Sequence, residues 1–228
     1  MHWRSLVQAT TEIFRQQETD WNVYYLRYMD SRDEAAWYSD AGPSDVEIVE
    51  LFRFLNQLAS HHPSGADARA RFKRAYHLQV LPRLRALQGL TLLDATFGGE
   101  VVQGMCVSKA VDKIFGSIAE APAGSRYAST ATSKILHVLN PSLFVMWDSA
   151  IRGGYAVDVS SGDYARRFLP RMQRQASEAV DSYIRDGEAE PAAAVEALEK
   201  RCGGRPLTKL VDEYNYCKFT LRADELWG

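Results

Sequence analysis

The sequence predicts an all-α globular chain on three observations. Apolar residues recur at three- and four-residue steps through nearly all of the 228 positions, strand signals are few and short, and glycine and proline fall where only short loops remain between helices. The breaks come at Gly42-Pro43, His62-Pro63-Ser64-Gly65, Gly98-Gly99, Ala121-Pro122-Ala123-Gly124, Asn140-Pro141, Gly153-Gly154 and Gly203-Gly204. No internal repeat or low-complexity tract interrupts the pattern. The expected architecture is a mostly helical globule whose helices are joined by short loops.

Taken in order, the first helices are expected near 3–17 and 20–30. In "SDVEIVELFRFLNQLAS" Ser44 and Glu47 form a capping box, and Ile48, Leu51, Phe52, Leu55, Leu58 and Ala59 draw one apolar stripe. A basic helix follows over 66–88, with Pro82 as a kink or break because it lacks an N–H and crowds the preceding turn. Further helices are expected over 101–117, 128–139, 161–186, 191–202 and 206–219. The last presents Leu207, Leu210, Val211 and Tyr214 at helical steps and reads as a packing helix. Lys209 and Lys218 on it can reach DNA, with nothing in the sequence demanding that role.

Composition narrows the function classes. With 46% hydrophobic residues the chain has enough apolar surface for one compact domain or two small lobes. No apolar run is long enough to span a bilayer and "MHWRSLVQATTEIF" is unlike a signal peptide, so a cytoplasmic protein is expected, not bound to membrane and monomeric. Cys106, Cys202 and Cys217 stand far apart without a C-x-x-C pair, which predicts reduced thiols and neither a cluster nor a zinc site. His61, His62, His77 and His137 lack acids or cysteines at matching spacing, so no metal and no cofactor is expected. A net charge of −2 argues against coating nucleic acid by charge alone, yet basic residues crowd 69–85 and 166–174.

The segment "ATSKILHVLNPSLFVMWDSAI", residues 131–151, carries the functional question. Ile135, Leu136, Val138 and Leu139 supply a short buried helix that Asn140-Pro141 must end, because proline disfavours helical geometry in the residue before it. The chain then returns through "SLFVMW", and Asp148-Ser149 opens the next helix, an aspartate suiting both the cap and the positive end of the helix dipole. Helix, turn and return can bring Lys134 and Asp148 into one cleft. Each also has a purely structural role available, Asp148 as a cap and Lys134 as an ordinary surface lysine.

This order of lysine, short apolar helix, Asn-Pro turn, apolar return and Asp148-Ser149-x-Ile151-Arg152 resembles the catalytic region of the helix-hairpin-helix DNA glycosylases. The likeness is to the branch of endonuclease III and the 8-oxoguanine DNA glycosylases. The resemblance implies an all-α, two-lobed fold in a single domain over 1–228, with one lobe near 1–99 plus 201–228 and the other near 100–200 carrying the catalytic segment 124–155. It implies Lys134 as the catalytic lysine and Asp148 as the catalytic aspartate. The sequence departs from the family in three ways: "APAGSRYASTATSK" replaces a glycine-rich hairpin, the lysine-to-aspartate separation of 148 − 134 = 14 positions is short, and cluster-binding cysteines are missing near the C-terminus.

By that resemblance the chain cleaves an N-glycosidic bond in DNA and releases a damaged or modified base. Positive charge builds on the deoxyribose as the base leaves, and the Asp148 carboxylate lowers that barrier. Lys134, neutral, can attack the sugar carbon, form a Schiff base and nick the abasic strand; otherwise Asp148 orients a water. A flipped base needs stacking surfaces, for which Trp147 and Phe144 are the candidates beside the aspartate, with His137 one helical turn from Lys134. Ser129, Thr130, Thr132 and Ser133, flanked by Arg126 and Arg152, would hold DNA phosphate in place of the glycine hairpin. An oxidised purine follows from the nearest families, and a modified base of phage DNA stays open. Two rival readings remain: a HEPN-like ribonuclease using Arg71 and His77, and a DNA-binding or interaction domain without catalysis.

Overall fold

A computed structural model describes residues 1–14, 19–58, 65–98, 101–102, 104–121 and 129–223. It is all-α, the described residues being mostly helical. The expected capping box forms in both directions: the Glu47 amide donates to Ser44 Oγ at 3.3 Å, and the Ser44 amide to Glu47 Oε2 at 2.6 Å. That seats the helix Asp45–Gln57, whose Ile48, Leu51, Phe52, Phe54 and Leu55 are buried.

Two prolines are absorbed in the same way. Ala66–Ala75 runs into a π-helical turn, Tyr76–Val80, and on into Leu81–Ala86, with Pro82 in the first turn of the last piece. Ser161–Asp163, the π-turn Tyr164–Phe168 and Leu169–Arg185 repeat the arrangement ahead of Pro170. A proline cannot donate to the carbonyl four residues back and its ring crowds that carbonyl. One widened turn, closed by the Leu81 amide on the Tyr76 carbonyl and by the Leu169 amide on the Tyr164 carbonyl, relieves the clash without ending the helix.

The expected helix over 101–117 is corrected. Val101–Val102 and Met105–Cys106 pair as a short antiparallel hairpin around Gly104, whose φ of +81° suits glycine, and the helix proper is Val107–Ala119. A short helix not expected from the sequence, Glu34–Tyr38, is opened by Asp33, which accepts from the Ala36 amide.

The apolar core is continuous from Trp3 to Cys217. The stretches expected as separate lobes interlock: Val107–Ala119 packs against Ala66–Ala86, while Leu169–Arg185 packs against both Trp3–Gln8 and the C-terminal helix Leu207–Asn215. Between these groups of helices the segment 129–151 is enclosed.

Candidate active site

The Ser129–Leu139 helix is buried along almost its whole length. Its last carbonyls are capped from outside: Tyr38 Oη donates to the Leu139 carbonyl at 2.9 Å and Arg32 to that of Val138. Asn140 builds the turn, accepting from the Ser142 amide at 3.2 Å and donating to the Leu87 carbonyl at 3.2 Å. The returning stretch 143–147 is then locked to the helix through Ser133, whose Oγ accepts from the Trp147 amide at 3.2 Å, while Trp147 Nε1 donates to the Ser129 carbonyl at 3.0 Å. The next residue on each side is Lys134 and Asp148, so this lock sets their register.

Lys134 and Asp148 line one cavity of about 250 Å³ together with Phe14, Tyr25, Trp147 and Tyr216. Such a space, just under the roughly 300–1,000 Å³ of sites for drug-sized ligands, suits a single flat ring system. Asp148 is the N-cap of Ser149–Tyr155: Oδ1 accepts from the Ile151 amide at 2.7 Å and Oδ2 from Thr220 Oγ1 at 2.7 Å. Thr220 ends the π-turn Tyr216–Thr220, and Phe14 directly follows another, Ala9–Ile13. Widened turns thus deliver side chains into the cavity from both chain ends, a common placement for π-turns.

Lys134 is half-buried, and its Nζ donates to the Leu58 carbonyl at 2.8 Å. Burial draws its ammonium down to about 8; Lys209 adds to the fall, whereas Asp212 and Asp148 oppose it. Burial thereby brings the neutral amine of Lys134 closer to physiological pH than that of an ordinary lysine.

A second lysine and a second aspartate line the same cavity. Lys209 Nζ lies 2.8 Å from Asp212 Oδ2 and 3.5 Å from Glu213 Oε1, and Arg205 Nη1 lies 2.6 Å from Glu213 Oε2. All four side chains are buried. Burial works against the Lys209 ammonium, but Asp212 and Glu213 hold it above its usual range. Burial raises Asp212, against the pull of Lys209. The ammonium also sits over the Phe14 ring at 4.8 Å and the Tyr25 ring at 5.3 Å.

Of the residues expected from the sequence, Lys134, Asp148, Trp147 and Thr130 meet at the cavity. His137 and Phe144 are corrected to supports behind it. His137 is fully buried, and because a carbonyl can only accept, its Nδ1 carries the proton donated to the Phe144 carbonyl at 2.7 Å. Its Nε2 accepts from Tyr25 Oη at 2.8 Å, so the imidazole orients a cavity tyrosine. Burial pushes it down to about 3, leaving it neutral. Phe144 is wholly buried and supplies that carbonyl.

Thr132 and Ser133 are likewise corrected. Both are fully buried, Ser133 as the lock on Trp147 and Thr132 with a hydroxyl that finds no hydrogen-bond partner among the described residues, so neither hydroxyl is placed to meet a phosphate. Ser129 is half-buried, its carbonyl taken by Trp147. Arg152 is half-buried, with its guanidinium 5.6 Å from the centre of the Trp147 ring. Arg126, with His61 and His62, lies outside the described residues. Arg71 is exposed beside Asp67, whereas His77 lines a groove shared with Asp45, Arg69, Lys73 and Arg74.

Lys209 and Asp212 are the residues that sequence reasoning missed. "LTKLVDEY" places charges at i, i+3 and i+4, which reads as a solvated helix face. Here that face points inward, and all nine residues of Leu207–Asn215 are buried. The apolar stripe on the opposite face is that of any amphipathic helix, so the sequence carries no signal that this one is enclosed on both sides.

Compared with protein families, with curated proteins and with solved structures, the chain matches none. Among the described residues no helix is long and apolar enough to cross a membrane, and no three His, Cys, Asp or Glu side chains converge as metal ligands.

Proposed function

We propose that this chain is a DNA glycosylase that cleaves the N-glycosidic bond of a flipped, damaged or modified base through Lys134 and Asp148. The observation that carries the proposal is that these two side chains, fixed in register by the Ser133–Trp147 lock, line one cavity with aromatic walls. The target base enters between Trp147, Tyr25 and Phe14. As its bond to C1′ stretches, positive charge grows on the sugar and the Asp148 carboxylate, held by two donors, faces that charge without rearranging.

The neutral amine of Lys134 attacks C1′, the base leaves with the bonding electron pair and takes up a proton, and the amine nitrogen passes its own proton to a cavity carboxylate. Opening of the sugar ring gives an iminium that either hydrolyses or loses a C2′ proton and expels the 3′ phosphate. Burial favours this role by holding a usable fraction of Lys134 neutral at physiological pH. Where a water attacks in its place, Asp148 orients it and no Schiff base forms. The ribonuclease alternative needs Arg71 and His77 at one cleft, and the groove lined by His77 does not include Arg71.

The test incubates the protein and its Asp148→Asn variant with DNAs carrying oxidised or naturally modified bases and measures released bases and abasic sites. Release that vanishes with Asp148→Asn supports the reading, and borohydride trapping of a protein–DNA adduct distinguishes the lysine route from the water route. No release from any DNA would end it.

A further inference from the structure

Lys209 and Asp212 stand in the cavity wall with hydrogen-bonding capacity left over. Lys209 makes one hydrogen bond among the described residues, to Asp212 Oδ2, since Glu213 Oε1 at 3.5 Å finds no hydrogen-bond partner. Asp212 Oδ1 likewise takes none among the described residues. A buried ion pair of this kind is expensive to desolvate and is a poor way to gain stability alone. Retained on a cavity wall opposite apolar rings, it has the form of a built polar contact, in which a few placed groups orient a ligand held by flat apolar surfaces.

We propose that Lys209 and Asp212 read the edge of the bound ring: Lys209 donates to a carbonyl oxygen while Asp212 accepts from the adjacent ring N–H. An ammonium has donors only and a carboxylate acceptors only, so the pair is complementary to an acceptor beside a donor. Among heterocycles the lactam edge, C=O next to N–H, is that pattern with the charge-assisted bond directed at an oxygen. This inference rests on the glycosylase reading for its consequence in catalysis. A base leaving with the bonding electrons spreads negative charge onto its conjugated carbonyl oxygen, where an ammonium already in place stabilises it. Ligands of the keto class are then both preferred in binding and better leaving groups.

The closing experiment uses free bases matched in size. Binding of hypoxanthine against adenine, and of uracil against cytosine, is followed by quenching of intrinsic fluorescence, Trp147 lying in the cavity wall. The keto member of each pair should bind about tenfold more tightly, the scale of one good two-point contact. Because Lys209→Met alone leaves the Asp212 carboxylate without its partner, Glu213 keeping Arg205, the double variant Lys209→Met/Asp212→Leu is measured as well, with its fold checked by circular dichroism. In the folded double variant the keto preference should disappear. Equal affinity for both members in the wild type, a preference that survives in the double variant, or no binding of any base would overturn the inference. Base release from DNA and its loss in Asp148→Asn are scored separately, so the glycosylase reading can fail while the keto preference holds, or stand while it fails.

Discussion

The Asp148 carboxylate caps a helix with one oxygen and takes the Thr220 hydroxyl with the other, so its structural and chemical roles can be separated by choice of substitution. Asparagine keeps an acceptor for the Ile151 amide and loses the charge, its NH2 then facing Thr220, whose hydroxyl can turn to accept. Asp148→Asn should therefore melt close to the wild type while base release falls about 100- to 1,000-fold, the usual effect of removing one group that stabilises transition-state charge. Asp148→Ala should in addition lose about 1 kcal/mol of stability with the cap. Lys134 makes a second prediction through pH. Its neutral fraction rises about tenfold per pH unit below about 8 and levels above it, so borohydride-trapped adduct should follow that curve and vanish in Lys134→Met. Between about 8 and the ordinary 10.5 the unfolded chain holds a proton that the folded chain has released, so wild-type stability should rise relative to Lys134→Met across that window in thermal melts. Both residues were legible in the sequence because a proline turn fixes where the chain reverses. Lys209 and Asp212 were not, since a charged helix face carries no mark of which way it points until its neighbours are known.

At the scale of elements, widened turns do what regular helix cannot. The π-turns ahead of Pro82 and Pro170 let long helices continue, and the turns at Ala9–Ile13 and Tyr216–Thr220 set Phe14 and Thr220 at the cavity. Apolar periodicity located all of these helices. It gave no sign of the extra residue in each turn, because one widened turn shifts the face by less than the width of an apolar stripe. The hairpin at 101–106 escaped for a different reason: Val101, Val102, Met105 and Cys106 are too few to distinguish period two from a helix start. The Tyr216–Thr220 turn also meets Ser149–Tyr155 at Gly154, where an added Cβ would lie 2.2 Å from Phe219 Cδ1. Phe219 packs edge-on against Tyr155 with ring centres 4.9 Å apart, so it must move to admit a methyl group. Gly154→Ala should cost about 1–3 kcal/mol, the range for an overpacked contact, and should lower base release by drawing Thr220 off Asp148. Thermal melts and release assays on the one variant check both; release unchanged alongside a lowered melting temperature would mean that Thr220 is not what holds Asp148 in place.

At the scale of the molecule, the cavity is made by distant parts of the chain, with Phe14, Lys134 and Lys209 drawn from its beginning, middle and end. The beginning is tied to the end by Trp3. Its amide donates to Ser182 Oγ at 3.0 Å, its indole Nε1 to Asp186 at 2.9 Å, and its ring packs edge-on to Tyr183 at 5.1 Å beneath the Arg201 guanidinium. Deeper in, Arg205 donates to the Thr10 carbonyl while paired with Glu213, so the same buried charges that support Lys209 also hold the N-terminal segment. A chain knitted in this way should unfold as one unit rather than lobe by lobe. Trp3→Ala removes a buried indole and should cost about 3–5 kcal/mol, which for a chain of this length lowers the melting temperature on the order of 10 °C. The informative part is coincidence. Far-UV circular dichroism and intrinsic fluorescence should report a single shared transition in the wild type and in Trp3→Ala, shifted together. A variant in which fluorescence fell early while most helix persisted would show the N-terminal contacts to be separable from the core, and the cavity wall that Phe14 supplies to be an independently opening element.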